Sequence, residues 1–146
     1  MNLFKRMNGA RRFAAALLLT TSMSTVVMVQ PAAAQTDDDR VEAFASSRYN
    51  YCDAKMLGAL WGFDAYGGKV RIGDKILSGI EGNLEPLFNQ SREAGNTCDW
   101  DDTALSPADA AVLAQVWGTS VREARRTAAS HYTYGTSGHV RNALGR

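Results

Sequence analysis

Three arginines on one short segment are the residues best suited to bind an anion. Arg122, Arg125 and Arg126 stand at positions i, i+3 and i+4, so on an α-helix they form a stripe along one face. Guanidinium groups bind carboxylates and phosphates through paired hydrogen bonds. Such a stripe is therefore a candidate site for an anionic ligand or partner surface. It is also compatible with an ordinary solvated helix face or with ion pairs inside the protein, and the sequence leaves these interpretations open.

Aromatic residues form the second group suited to binding. Trp61 and Trp117 stand at the ends of two predicted helices, and tyrosines follow each of them. If half-exposed, the tryptophans would line a groove for a small molecule, because such sites are concave and rich in aromatic side chains. The simpler interpretation, which we prefer, is that each tryptophan anchors the hydrophobic core of its unit. The candidate partner-binding or ligand-binding residues are therefore Arg122, Arg125, Arg126, Trp61, Trp117, Tyr66 and Tyr132.

No motif in the chain indicates a catalytic or metal site. The sequence lacks G-x-S-x-G, S-x-x-K and H-E-x-x-H. Asp53 and Asp109 are interpreted as first-turn helix residues, where an acid favourably meets the helix dipole, in preference to a catalytic pair. A loop that begins at Asp99 resembles a calcium loop, but Ala104 and Ala110 stand where glycine and a bidentate acid are needed. We expect no catalytic residue, no metal and no cofactor.

Residues 1–34 predict a secretory signal peptide. Basic residues precede an apolar stretch from Phe13 to Val29, and small residues up to Ala34 fit a cleavage site. The alternative is a retained membrane anchor, but several serines and threonines interrupt the stretch, and a spanning helix needs about 20 mostly apolar residues. We expect a periplasmic or extracellular protein, cleaved near Ala34, with no transmembrane segment after signal removal.

Charge is distributed unevenly in the remaining chain. Without the four basic residues of the signal, 12 basic and 15 acidic residues remain, a net charge of −3. Residues 119–146 carry a net +4, whereas residues 35–118 carry −7. This near-neutral balance gives no argument for a nucleic-acid partner, and the expected partner is an unknown envelope protein or an anionic ligand.

Cys52 and Cys98 are the two cysteines of the chain. In an exported protein they predict one structural disulfide, because oxidising compartments favour the bond and only one internal pairing exists. No C-x-x-C motif and no histidine at ligand spacing supports a redox pair or a metal site. Loop closure by this bond would stabilise the fold by about 4 kcal/mol.

The elements that must position these residues are predicted by an internal repeat. The pattern D-A-x-x-L-x-x-x-W-G occurs from Asp53 to Gly62 and again, with residue numbers 56 higher, from Asp109 to Gly118. Apolar residues at i, i+1, i+4 and i+5 predict a helix in each copy, and the glycine predicts its end. Ser106 and the proline after it predict where the second helix begins.

A longer helix is predicted after each tryptophan. Asp64 and Ser120 are the expected N-caps, and Ser120 with Glu123 predicts a capping box. Residues 66–72 are also compatible with a turn and a strand. Their counterparts at 122–128 are rich in helix formers, so we expect helix in both copies, with the glycines making the first copy softer unless they allow close helix contact.

The sequence thus predicts an all-α fold, a small bundle of two duplicated short-helix/long-helix/short-helix units with one disulfide. The two units span about 52–92 and 106–145, and an acidic loop at 93–105 connects them. The units and the loop belong to a single helical domain at 49–146. Residues 35–48 are expected to form a flexible acidic N-terminal arm, with disorder at 35–40 and a helix at 41–48. The residues expected to be buried are Leu57, Leu60, Trp61, Ile76, Leu84, Leu87, Phe88, Leu113, Val116, Trp117 and Val121.

Three functional hypotheses follow from these patterns. The first is an exported, non-enzymatic helical protein that binds a partner or an anionic ligand. The second is a periplasmic hydrolase that uses carboxylates indistinguishable in sequence from helix caps; it requires a pocket with converging acids and a perturbed histidine. The third is an envelope stress chaperone, since the chain is similar in size and cysteine count to small periplasmic acid-stress chaperones.

Overall fold

The computed structural model describes residues 35–146, and the predicted signal peptide lies outside them. The described residues form seven α-helices and two short 3-10 helices, without a strand, so the predicted all-α class is confirmed. No helix among them has the length and apolarity needed to cross a membrane. The helices are α1 Asp37–Ala45, α2 Tyr51–Trp61, α3 Ala65–Leu77, a 3-10 helix Glu81–Asn83, α4 Leu84–Glu93, a 3-10 helix Trp100–Asp102, α5 Pro107–Trp117, α6 Val121–Thr133 and α7 Ser137–Ala143.

The ends of α2 and α5 are set by local capping residues. Each helix begins with a reciprocal capping box, in which the N-cap side chain accepts from the backbone N–H three residues later and an aspartate accepts in return. The pairs are Asn50 with Asp53, and Ser106 with Asp109. Both helices end at a glycine in the left-handed conformation, with φ of 76° at Gly62 and 65° at Gly118. The predicted end of each helix and the predicted start of α5 are confirmed.

The longer helices α3 and α6 also begin at the predicted caps. The side chains of Asp64 and Ser120 accept hydrogen bonds from the backbone N–H groups of Gly67 and Glu123. The predicted capping box of α6 is only half formed, because Glu123 pairs instead with Arg126 at 3.2 Å. Residues 66–72 lie within α3, which confirms the helical prediction over the strand.

Two hydrophobic clusters make up the core, and α2 contributes to both of them. In the first cluster, Ala54 and Leu57 of α2 pack with residues of α1, α3 and α4. In the second cluster, Cys52 and Met56 of α2 pack with residues of α5, α6 and α7. Because neighbouring residues of one helix face different clusters, α2 is the element that joins the two halves of the domain.

The predicted set of buried residues is correct in part. Leu57, Leu84, Phe88 and Leu113 are buried, and Leu60, Trp61, Ile76, Leu87 and Trp117 are partly buried against the clusters. The prediction is wrong for Val116 and Val121, which are 56% and 43% exposed. The buried side of α5 is the narrow stripe of Ala110, Leu113 and Ala114, so Val116 faces outward. Val121 is the first residue of α6, and the buried side of that helix begins only at Ala124.

Residues 37–45 form a packed helix, where a flexible arm was expected. Thr36 and Asp39 form a capping box, so the acidic run stands in the first turn, where it meets the positive end of the helix dipole. Phe44 is buried in the first cluster. The acidic composition of residues 35–40 indicates disorder, but Thr36 caps the run of three aspartates, so the helix expected at 41–48 begins four residues earlier, at Asp37.

Close helix contact explains the glycines of α3. A Cβ atom at Gly68 would overlap the carbonyl oxygen of Ala54 on α2, and one at Gly73 would overlap the carbonyl oxygen of Arg40 on α1. The absence of side chains therefore lets α3 approach both neighbouring backbones. This packing offsets the conformational cost of glycine within a helix. The first copy was expected to be softer unless its glycines allow close helix contact, and close contact is what the structure shows.

The disulfide between Cys52 and Cys98 is present, as predicted. Its Cα atoms are 5.6 Å apart, within the usual range, and both cysteines are buried. The bond fastens the segment that follows α4 to the first turn of α2. It therefore fixes the position of a chain segment that contains little regular structure of its own.

Substitution of Gly68 tests the close helix contact. We expect Gly68→Ala to lower the free energy of unfolding by about 1–3 kcal/mol, because the added methyl group forces α2 and α3 apart. Gly82→Ala is the control, since nothing lies within 4 Å of a Cβ atom there; it should change stability by less than about 0.5 kcal/mol. Urea unfolding of both oxidised variants measures the difference, and a Gly68 variant as stable as the Gly82 variant would refute the contact.

Removal of the disulfide tests the crosslink. The double variant Cys52→Ala/Cys98→Ala should lose about 4 kcal/mol of unfolding free energy, because its unfolded chain is no longer constrained. Thiol titration of the unsubstituted protein after denaturation should find no free thiol. Two free thiols, or equal stability of the two proteins, would contradict this assignment.

Candidate binding cavity

One face of α6 forms the floor of a cavity of about 370 Å³. Arg125, Ala129 and Thr133 lie along one row of the helix at intervals of four residues, and Arg126 and Ser130 lie along the next row. The opposite wall is the segment before α5. The complete lining is Thr97, Cys98, Asp99, Trp100, Arg125, Arg126, Ala129, Ser130, Thr133 and Tyr134.

The disulfide and a hydrogen bond hold the opposite wall in place. The backbone N–H of Cys98 donates to the Thr133 hydroxyl oxygen at 3.0 Å, and that hydroxyl donates to the carbonyl oxygen of Ala129 at 3.1 Å. Cys98 is itself bonded to α2. The wall is thus attached to two helices within a few residues of Trp100, which defines the width of the cavity.

Arg125 and Trp100 form the most distinctive contact of the cavity. The guanidinium carbon of Arg125 lies 5.4 Å from the centre of the Trp100 ring, a cation–π geometry. The Nε atom of Arg125 is buried without a hydrogen-bond partner in the described chain. No carboxylate of residues 35–146 forms an ion pair with this guanidinium, although Arg126 pairs with Glu123. The positive charge of Arg125 is therefore available to an anion in the cavity.

Asp99 is the only acidic residue in the cavity lining, and its charge is balanced by Lys55, which lies outside the lining. Lys55 lies 3.2 Å from an Asp99 carboxylate oxygen and 2.5 Å from an Asp102 oxygen. The hydrogen bond to Asp102 raises the pKa of Lys55, which keeps the ammonium group charged. Asp99 and Asp102 of the calcium-like loop are thus engaged with a lysine. No cluster of three or more potential metal ligands occurs among residues 35–146.

Tyr134 stands between this cavity and a second, more polar cavity of about 190 Å³. Arg92 lies 5.8 Å from the Tyr134 ring centre and donates a 3.2 Å hydrogen bond to the carbonyl oxygen of Thr133. The remaining lining of the second cavity is Arg48, Tyr49, Asn50, Asp53, Glu85, Phe88, Gly135 and Ser137. Arginines therefore line both sides of Tyr134.

Asp53 is a helix cap whose carboxyl group lies in the second cavity. Burial raises the pKa of Asp53 to about 6, although a hydrogen bond from the backbone N–H of Asn50 opposes the shift. Asp109 has the same capping role, but hydrogen bonds from Ser106 lower its pKa. The two acids are equivalent in the sequence pattern, and burial in the second cavity distinguishes Asp53 from Asp109.

The other predicted binding residues do not converge on the cavity. Arg122 is exposed on α6 outside it, Tyr66 is 53% exposed, and Tyr132 is buried in the second cluster. Trp61 lines a separate cavity with Phe63 and residues of α3. Trp117 packs against the second cluster, with its ring centre 6.0 Å from that of His131.

Each tryptophan thus packs against a different hydrophobic cluster, as expected of core anchors, and the two do not line a common groove. The tryptophan that does meet the arginine stripe is Trp100, which sequence reasoning missed. Its position two residues after a disulfide cysteine was the available signal.

The pKa of Asp53 predicts a pH-dependent stability. A raised pKa means that the neutral carboxyl group is favoured in the fold. The stability that this group contributes is complete below about pH 4 and is lost as the pH rises through about 6. The side chain of Asp53→Asn stays neutral, so between pH 4 and pH 7 the free energy of unfolding of this variant should rise on the order of 2–3 kcal/mol relative to that of the native protein.

Asp109→Asn is the matched control for that measurement. The pKa of Asp109 is lowered, so its contribution is present at neutral pH and is lost as the pH falls. This variant should be the less stable protein at pH 7 and approach the native protein on acidification. Denaturant unfolding across this pH range provides the comparison, and a native-like pH profile for Asp53→Asn would refute the burial of the carboxyl group.

Comparison with known proteins gives no relative for this chain: no protein-family model, no curated protein and no solved structure matches it.

Proposed function

We propose that this chain is an exported, disulfide-linked helical protein that binds an acidic group of a ligand or partner in the cavity beside α6. The proposal rests on the surroundings of the Arg125 guanidinium group. Its guanidinium lines the cavity, stacks on Trp100 and forms no ion pair within residues 35–146. A cation held beside an apolar surface attracts a carboxylate or phosphate more strongly than an exposed cation does, because the local dielectric screens less.

Export is supported by two observations of different kinds. The sequence of residues 1–34 has the features of a signal peptide, and Cys52 and Cys98 are joined in a disulfide, which persists in oxidising compartments. Binding in the periplasm or outside the cell is the setting that we propose.

A duplicated origin is supported by the helix boundaries. α2 at 51–61 and α5 at 107–117 have the same length, and each residue number differs by 56. The same offset relates α3 at 65–77 to α6 at 121–133. We therefore propose that the cavity is a specialised part of the second of two related units.

Hydrolysis is a second candidate function, and Asp53 is the residue that favours it. A buried carboxyl group with a pKa of about 6 in a polar cavity has the properties of a general acid or base. Glu85 supplies a second acid in the same lining. Loss of a detected hydrolytic activity in Asp53→Asn, with the fold intact, would favour this candidate over simple binding.

Substitution of Arg125 tests the binding function. The oxidised protein labelled with fluorotryptophan is titrated with a short oligoglutamate peptide and followed by fluorine NMR. We expect the Trp100 resonance to shift while those of Trp61 and Trp117 stay in place. Arg125→Gln should weaken the apparent affinity about tenfold or more, because it removes a charge-assisted contact.

Arg71→Gln is the matched control, since Arg71 also stacks on an aromatic ring, 5.0 Å from the centre of Phe63, beside a different cavity. This variant should bind like the native protein. A Trp100 resonance that does not respond, or equal losses in both variants, would show that the cavity does not bind acidic groups.

A further inference from the structure

One row of α6 is covered by the wall of the cavity. Ala129 and Thr133 are buried, and the segment before α5 reaches this row through the hydrogen bond from Cys98 to Thr133. At the other end of the row, the Arg125 guanidinium lies against the Trp100 ring. This row therefore forms the closed back of the cavity, and an occupant must be small enough to lie beside the wall.

The next row of α6 borders the same cavity and is open to solvent. Arg126, Ser130 and Tyr134 follow one another at intervals of four residues, and all three are exposed, Tyr134 to 64%. A helical rise of about 1.5 Å per residue places Tyr134 roughly 12 Å beyond Arg126 along the helix axis. The open part of the cavity therefore has two ends with different side chains.

The first end of the open part carries positive charge. Arg125 forms no ion pair within residues 35–146, and Arg126 pairs with Glu123 at 3.2 Å where both side chains are largely in water. Such an exposed pair contributes little stability, because water screens the attraction. An acidic group of a ligand can therefore replace Glu123 at Arg126 while it also meets Arg125.

The second end of the open part presents an aromatic ring. Tyr134 follows the last residue of α6, and the Arg92 guanidinium lies 5.8 Å from the centre of its ring. Arg92 is itself held by its hydrogen bond to the carbonyl oxygen of Thr133. A ligand ring packed on the exposed phenol would bury apolar surface and form an aromatic pair.

From these observations, and resting on the binding function proposed above, we infer that the ligand of this cavity is a small aromatic acid, an acidic group joined to an aromatic ring by a flexible spacer. The acidic group pairs with Arg125 and Arg126, and the ring packs on Tyr134. The spacer sets them roughly 8 Å apart, less than the axial distance of about 12 Å, because the protein side chains span the remainder.

The size of the cavity favours a small molecule. Its volume of about 370 Å³ lies at the lower end of the range for small-molecule sites, about 300–1,000 Å³. Ser130 lies between the two ends of the open row and offers a hydroxyl group to a polar atom of the spacer. The acidic group alone would leave the Tyr134 end of the cavity empty.

Three probe compounds test this inference on the mature, oxidised chain labelled with fluorotryptophan. The probes are 6-phenylhexanoate, hexanoate, which lacks the ring, and 6-phenylhexanamide, which lacks the charge. We expect 6-phenylhexanoate to shift the Trp100 fluorine resonance in a saturable manner. It should bind at least about tenfold more tightly than either of the other probes, because each of them lacks one of the two contacts.

Substitution of Tyr134 tests where the ring binds. In Tyr134→Ser the preference for 6-phenylhexanoate over hexanoate should fall from about tenfold to threefold or less, because the aromatic partner is lost. Tyr66→Ser is the matched control, since Tyr66 is an exposed tyrosine of α3 outside the cavity; it should keep the full preference. Arg125→Gln should weaken the binding of both acids.

The remaining outcomes separate the inference from the function on which it rests. If hexanoate binds as tightly as 6-phenylhexanoate, or if the preference survives in Tyr134→Ser, the cavity binds acidic groups without recognising a ring at Tyr134, so the inference fails while the proposed function stands. If the amide binds as tightly as the acid, or if no acid, oligoglutamate included, shifts the Trp100 resonance, both fail.

Discussion

The disulfide between Cys52 and Cys98 is the constraint on which the rest of the structure depends. It joins α2, the helix shared by both hydrophobic clusters, to a segment that has little regular structure of its own. The hydrogen bond from Cys98 to Thr133 then attaches the same segment to α6. Trp100 is thereby held beneath Arg125. A covalent bond in the core thus creates a cation-lined surface cavity without contributing a polar group to it.

Much of the helical framework could be predicted because the signals that set it are local. Capping side chains such as Asn50 and Ser106, and left-handed glycines such as Gly62 and Gly118, lie within a few residues of the helix ends that they define. The repeat helped with α3, whose glycines alone would favour a turn. The cysteine pairing could also be predicted, since a chain with two cysteines allows only one internal disulfide.

The cavity could not be predicted, because it depends on which surfaces are brought together across the chain. Trp100 is brought to α6 by the disulfide and by the hydrogen bond from Cys98 to Thr133, and burial in the second cavity raises the pKa of Asp53. The exposure of Val116 has a similar origin, since a helical period reveals an apolar stripe but not how many neighbours cover it. The first turn of α1 was not predicted, because three consecutive aspartates indicate disorder unless the cap at Thr36 is considered with them.

Chemical-shift mapping by NMR is the most direct test of the central claim, that the cavity beside α6 binds an acidic group. The isotope-labelled, oxidised chain is titrated with the oligoglutamate peptide, and backbone and indole resonances are followed. The account predicts that the largest shifts occur at Trp100, Ala129, Ser130 and Thr133, with little change along α3. Shifts centred on α1 and α3, or no localised shifts at all, would contradict it.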